Sequence, residues 1–187
     1  MSVTQGPIQC ADNCEDLDIP SVSFLDCDPE INLSQIAKIY QAKTTAASFS
    51  DWTSPTEWTA RLNDTSTDVD AIRTLRVIGE LPLPSKTEKT ISGGRIVTTD
   101  SKNQVNFEID ETNATNHEFV RGMKCVKRGK FWFETIGGLL FGGNEGIEAS
   151  ITVDMVLSKT EGDIILYPGS LKWSSTDVLE RTPSPIA

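Results

Sequence analysis

Between Lys130 and Leu157 the sequence KFWFETIGGLLFGGNEGIEASITVDMVL runs in blocks: an apolar run, Gly-Gly, a second apolar run, Gly-Gly again, then a long alternating stretch. In the last block Ile147, Ala149, Ile151, Val153, Met155 and Leu157 occupy every second position. Glu148, Ser150, Thr152 and Asp154 fall between them, with one break at Val156. Side chains along a strand point alternately to its two faces, so this pattern predicts a half-buried strand from Ile147 to Leu157. Two short strands precede it, joined by tight turns in which glycine takes up the positive φ that other residues resist.

The same period of two recurs elsewhere. Val105, Phe107 and Ile109 alternate with Asn106, Glu108 and Asp110, and Thr74–Gly79 reads as another strand, followed by Pro82 and Pro84, which restrict the next stretch to an edge or loop. Lys86–Thr99 predicts a hairpin of two strands about Gly93-Gly94. Asp163–Trp173 predicts a last strand pair or a kinked strand, bent at Pro168-Gly169. Ile31–Lys43 mixes helix-like and strand-like intervals; its Ile-Tyr pair and the following Thr44-Thr45 favour a strand.

Two short helices interrupt this pattern. Ser54-Pro55-Thr56-Glu57 has the form of a capping box with proline at the first helical position, and predicts a helix from Pro55 to about Leu62 with Trp58 and Leu62 on its buried face. Thr115-Asn116-His117-Glu118 repeats that form and predicts a second helix from about Asn116, turning Phe119, Val120 and Met123 inward. The predicted fold is therefore mainly β: a sandwich or barrel of short antiparallel strands with one or two short flanking helices. Residues 1–30 read as an extended arm with a short strand at Val22–Leu25, residues 31–173 as the single β-rich domain, and residues 174–187 as an extended tail that orders only where it docks. Trp132, Phe133, Phe141 and Trp173 are expected in the core, with Trp58 in the core or an interface.

Charge narrows the function. Seventeen basic against twenty-seven acidic residues give a net charge of −10, which repels nucleic-acid phosphates and argues against sequence-specific nucleic-acid binding. No apolar run is long enough for a transmembrane helix, and MSVTQGPIQC lacks the basic-then-apolar order of a signal peptide, so synthesis and retention in the cytoplasm of the producing cell are expected, with no membrane partner. The four cysteines, Cys10, Cys14, Cys27 and Cys125, allow a tetrahedral zinc site; the alternative is four reduced thiols, or a disulfide formed only after release from the cell. Zinc is the one cofactor the sequence raises, and the corresponding function would be a monomeric, zinc-stapled binding module.

No catalytic constellation emerges. His117 is the only histidine and is expected on the solvated first turn of a helix, no serine lies in a nucleophile elbow, and neither Gly-Gly pair is followed by the Lys-Ser/Thr of a phosphate loop. The expectation is a protein that is not an enzyme.

The stretches CDPEINLSQIAKIYQAK (27–43), FSDWTSPTEWTARL (49–62), IRTLRVIGELPLP (72–84), FWFETIGGLLFGGNEGI (131–147), and GSLKWSS followed by ERTPSPI (169–186), resemble virion structural proteins of tailed bacteriophages and related prophages. The order of elements is most similar to tail-tube proteins. That resemblance implies two packed β-sheets, a flanking helix, and a long hairpin or loop reaching the next subunit. It also implies homo-oligomeric, hexameric rings stacked around a DNA channel, other virion proteins as partners, and location in the virion after assembly in the host cytoplasm. A head, neck or decoration component is the alternative. The implied assembly contacts are Trp52 and Trp58 near the first helix, Lys86, Lys89 and Arg95 on the predicted hairpin, and Arg181 on the tail.

Overall fold

The computed structural model describes Val22 and residues 31–65 and 68–186. The chain divides into two units, residues 1–32 and 33–187, and the fold is that of the second. The expected strand at Val22–Leu25 and Cys10, Cys14 and Cys27 lie outside the described residues.

Among the described residues, nine strands and two helices follow one another as β1 (Ile36–Ala42), α1 (Pro55–Leu62), β2 (Arg73–Glu80), β3 (Ser85–Thr90), β4 (Ile96–Ile109), α2 (Ala114–Met123), β5 (Arg128–Thr135), β6 (Leu139–Phe141), β7 (Ile147–Val153), β8 (Tyr167–Ser174) and β9 (Arg181–Pro183). Every pairing is antiparallel. The order β1-β2-β4-β8-β7-β5 closes on itself because β5 also pairs with β1, Tyr40 lying opposite Trp132. A six-stranded barrel results, and closure removes the exposed edges that an open sheet of these strands would carry.

The inward-facing positions recur at steps of two or four along each strand: Leu75 and Val77, Val105 and Phe107, Phe131 and Phe133, Ile147 through Val153 in steps of two, and Tyr167 and Leu171. Together with Ile36 and Ile39 they form one buried cluster, to which α2 adds Val120. The irregular spacing in β1 has a physical cause. A bulge between Ile36 and Lys38 inserts a residue and lets Ile36 and Ile39, three apart, both face inward. Beyond the bulge Tyr40 and Ala42 face outward, yet both are buried, because a second cluster covers that side of β1 and β5.

This second core is aromatic. Tyr40, Phe49, Trp52, Trp58, Trp132 and Leu140 pack with Ala46 and Ile72 beneath α1 and the loop leading into it. Trp58 is fully buried, its ring centroid 4.5 Å from Phe49, 5.2 Å from Tyr40 and 5.6 Å from Trp132. Arg61 crosses Phe49 with its guanidinium carbon 4.0 Å from the ring centroid. Of the expected core residues, Trp132 and Phe133 are buried, whereas Phe141 and Trp173 are half-buried and pack against the barrel cluster.

Several local expectations shift. Both helices are present, but their caps differ from the predicted ones. Ser54 makes no side-chain capping bond, and the Glu57 carboxylate instead accepts from the Ser50 and Asp51 amides, 3.1 and 3.2 Å, tying the approach loop to the helix. The second helix starts two residues early because Asn113, not Thr115, is its cap, accepting from the Asn116 amide at 2.8 Å. The strand expected to reach Leu157 stops at Val153, leaving Met155 and Leu157 exposed, with only an isolated bridge between Val156 and Leu166 continuing the pairing. The two stretches read as separate strands at 95–99 and 105–109 are one fourteen-residue strand, β4. The C-terminal tail docks on its own barrel: β9 pairs with β6, the Ser184 amide donates to the Gly138 carbonyl at 2.7 Å, and Ile186 packs on the second core.

A buried polar cluster marks the rim of the second core. Lys38 lies opposite Glu134 and donates to both its carboxylate oxygens at 3.3 Å, while the Tyr40 hydroxyl donates to Glu134 Oε2. Burial pushes the Tyr40 hydroxyl pKa well above its ordinary value, and the neighbouring carboxylate adds to the shift. An unfolded tyrosine ionises near pH 10, whereas folded Tyr40 keeps its proton to higher pH. Above about pH 10 the folded state therefore binds more protons than the unfolded state, and stability falls by up to about 1.4 kcal/mol per pH unit. Tyr40→Phe is expected to abolish that part of the alkaline slope, and to cost about 1.5–3 kcal/mol at pH 7 by taking one donor from the Glu134 carboxylate. Urea unfolding of both proteins at pH 7, 9.5 and 11 checks this; parallel alkaline slopes would refute it.

Candidate assembly surface

Strand β4 is long enough to belong to two structures. Its second half, Lys102–Ile109, pairs with β8 inside the barrel, and its first half, Ile96–Lys102, pairs with β3 as a two-stranded ribbon. The turn joining them is built on Gly93 and Gly94, at φ of +84° and +76°, and the Ile91 amide donates to the Arg95 carbonyl at 2.8 Å. Nothing in the described chain covers this ribbon. Every residue of β3 is exposed, as are Ile96 through Thr99, and among the described residues β3 pairs with β4 alone, which leaves its outer edge unpaired there.

The ribbon's side chains are of two kinds. Lys86, Lys89 and Arg95 are exposed on it, and charges of this sort guard a free edge against indiscriminate pairing. Apolar side chains are also exposed beside them: Leu83 at 95%, Ile96 at 65% and Val97 at 43%. A ribbon of two strands has no core of its own and is marginal in water, so these side chains favour a surface that covers them. Arg181 is exposed on β9, whose outer edge is also unpaired among the described residues.

The other two implied contacts are placed elsewhere. Trp52 is 8% and Trp58 0% exposed. The Trp58 indole N–H donates to the Trp52 carbonyl at 2.7 Å, and the Trp52 amide donates to Asn144 Oδ1 at 2.9 Å. Both tryptophans hold the loop 43–54 and α1 to the barrel, so they are core residues and not part of a contact surface. Sequence reasoning could not separate the two roles, because a tryptophan beside a helix packs equally well inward or against a neighbour.

For the metal and catalytic readings the described residues offer little. Cys125 is exposed and unpaired just after α2. No group of three His, Cys, Asp or Glu residues is arranged to hold a metal ion among the described residues. His117 is exposed on α2, with Nδ1 3.3 Å from the Tyr167 hydroxyl. No helix of the described chain is long and apolar enough to cross a membrane.

The free-edged ribbon is the feature that the pattern of hydrophobic positions alone did not isolate. Its strands were legible, but that the barrel would leave them uncovered depends on the closure of β1 on β5. Comparison with protein-family models and with curated proteins gives no match to this chain.

Proposed function

We propose that this chain is a non-enzymatic, self-assembling structural subunit of a tailed-phage virion, a tail-tube protein whose copies form stacked, hexameric rings around a DNA channel. The observation that carries this reading is the β3–β4 ribbon, which leaves a closed barrel with its outer edge unpaired and its apolar side chains exposed. A neighbour's strand added to that edge satisfies the free backbone groups, as in strand addition generally. The resemblance of the sequence to tail-tube proteins supports the same reading, since a flanking helix and a reaching hairpin are what it implies. A net charge of −10 is compatible with a channel past which DNA slides without capture.

Light scattering of the purified protein together with negative-stain electron microscopy tests this directly. Rings or tubes are expected, and discs or shells in their place would move the assignment to a head, neck or decoration component. In a shortened variant, Lys86 joined to Ser101 through Gly-Gly closes the ribbon at a register pair with a two-residue turn and leaves the barrel untouched. That variant is expected to keep the thermal stability of the parent and to remain a monomer. A parent that stays monomeric at 20.5 kDa at high concentration, or a shortened variant that assembles like the parent, overturns the proposal.

A further inference from the structure

On the outer face of the barrel, beside the base of the ribbon, lies an open groove of about 890 Å³. One wall is the Pro82-Leu83 segment that leads into β3, and the floor is the outward face of four strands. Register places Gln104, Lys172, Ser150 and Arg128 side by side across β4, β8, β7 and β5, as one row running across the groove. Lys102 stands one step along β4, opposite Ser174.

The charge of this floor runs against that of the chain. Lys102, Arg128 and Lys172 line the groove with a single carboxylate, Glu148. Asp100 approaches Lys102 at 3.9 Å, with both side chains largely solvated, and neither Arg128 nor Lys172 is within salt-bridge distance of a carboxylate among the described residues. The excess of negative charge is concentrated elsewhere. Residues 1–30 contain seven of the twenty-seven acidic residues and none of the seventeen basic ones, so this stretch holds −7 of the net −10.

We propose that the groove is a docking site for the acidic N-terminal stretch, residues 12–30, of a second copy of this chain. Asp26, Asp28 and Glu30 follow one another at intervals of two, which in an extended peptide places their carboxylates on one side about 7 Å apart. Lys172 and Arg128, two strands apart, are separated by about 10 Å at their backbones, a gap that two long, flexible cationic side chains close easily. The Gln104 amide donates to Asn106 Oδ1 and keeps its carbonyl oxygen and second N–H for a peptide backbone, and Leu83 offers an apolar wall to Phe24 and Leu25, which precede the acidic run. The backbone of the floor is already paired within the barrel, so recognition rests on side chains, and binding weakens as salt screens the charges.

The test uses full-length chains, an equal mixture of unlabelled and ¹⁵N-labelled protein. A carbodiimide joins amines to carboxylates already in contact, and mass spectrometry of the digest identifies the pairs. Lys172 and Lys102 are expected to be joined to Asp26, Asp28 or Glu30, with mixed-isotope pairs showing that the two ends come from different chains. Arg128→Glu leaves both reactive lysines in place and is expected to cut the yield of those pairs about tenfold, the effect of reversing one charge in a direct ionic contact. Circular dichroism identical to the parent shows that the exposed substitution leaves the fold intact. Pairs confined to one isotope, pairs formed equally well by Arg128→Glu, or lysines joined only to other carboxylates overturn the proposal. Because the readout is contact, the proposal fails independently of the virion reading: rings without these pairs refute the groove alone, and pairs without rings refute the tube alone.

Discussion

Trp58→Ala is expected to lower the unfolding free energy by about 3–5 kcal/mol, the range for removing a fully buried large aromatic. The figure is large for this residue because its ring is the centre of the second core. Truncation empties a site bounded by Phe49, Tyr40 and Trp132, whose centroids lie 4.5 to 5.6 Å from it. The same change removes the indole N–H that donates to the Trp52 carbonyl at 2.7 Å. Against a total stability of about 5–15 kcal/mol for a domain, such a loss leaves the variant close to unfolding at 37 °C. Trp58→Phe keeps most of the packing and loses the hydrogen bond, so it is expected to cost well under half as much. Chemical unfolding followed by far-ultraviolet circular dichroism separates the two. A Trp58→Ala protein within 1 kcal/mol of the parent would mean that the aromatic cluster is not a core at all.

What the sequence showed of this fold follows from which forces act locally. Strand Ile147–Val153 and strand Arg73–Glu80 were legible because one face is buried and the other is wet, which writes a period of two into the residues themselves. Helix Pro55–Leu62 was legible from its serine and proline start, although Glu57 turned out to bind the preceding loop instead of the cap. Strand β5 gave a weaker signal, since Phe131 to Thr135 are buried on both faces and show no alternation. Closure of the barrel was not legible, because the pairing of β1 with β5 joins residues 88 to 99 positions apart and leaves no periodic trace. The ribbon's exposure and the basic groove are consequences of that closure. Lys172 and Arg128 are unremarkable as sequence positions and become neighbours only across three strands. The tail, read as waiting for a docking partner, had one within its own chain in the edge of β6. Sequence therefore located the strands of the assembly surface, and the topology decides which of its residues are free to meet a partner.

Gly146→Ala is expected to destabilise the fold through the glycine-rich loop between β6 and β7. Positive φ in tight turns accounts for Gly146, at +74°, as expected from sequence. A second constraint appears only in three dimensions. A Cβ at this position would lie 2.6 Å from Trp132 Cζ2 and 2.9 Å from Cε2 and Cη2, while one at Gly142 would lie 2.5 Å from Cδ1 of the same indole. The loop thus lies directly on Trp132 at two points, and its Gly143 carbonyl accepts the indole N–H at 2.8 Å. Trp132 has no room to yield, being fully buried with its ring edge-on to Phe49 and Trp58. Two costs therefore add: about 1–2 kcal/mol for an L-residue in the left-handed region and about 1–3 kcal/mol for overpacking, or about 2–5 kcal/mol in all. Gly94→Ala is the control, since Gly94 has φ of +76° and open space where its Cβ would stand. That variant is expected to show the backbone cost alone, about 1–2 kcal/mol. Unfolding curves for both variants, with near-ultraviolet circular dichroism to report on the Trp132 environment, give the comparison. Equal losses at the two positions would show that the loop can lift from the indole, and that positive φ alone explains why glycine stands there.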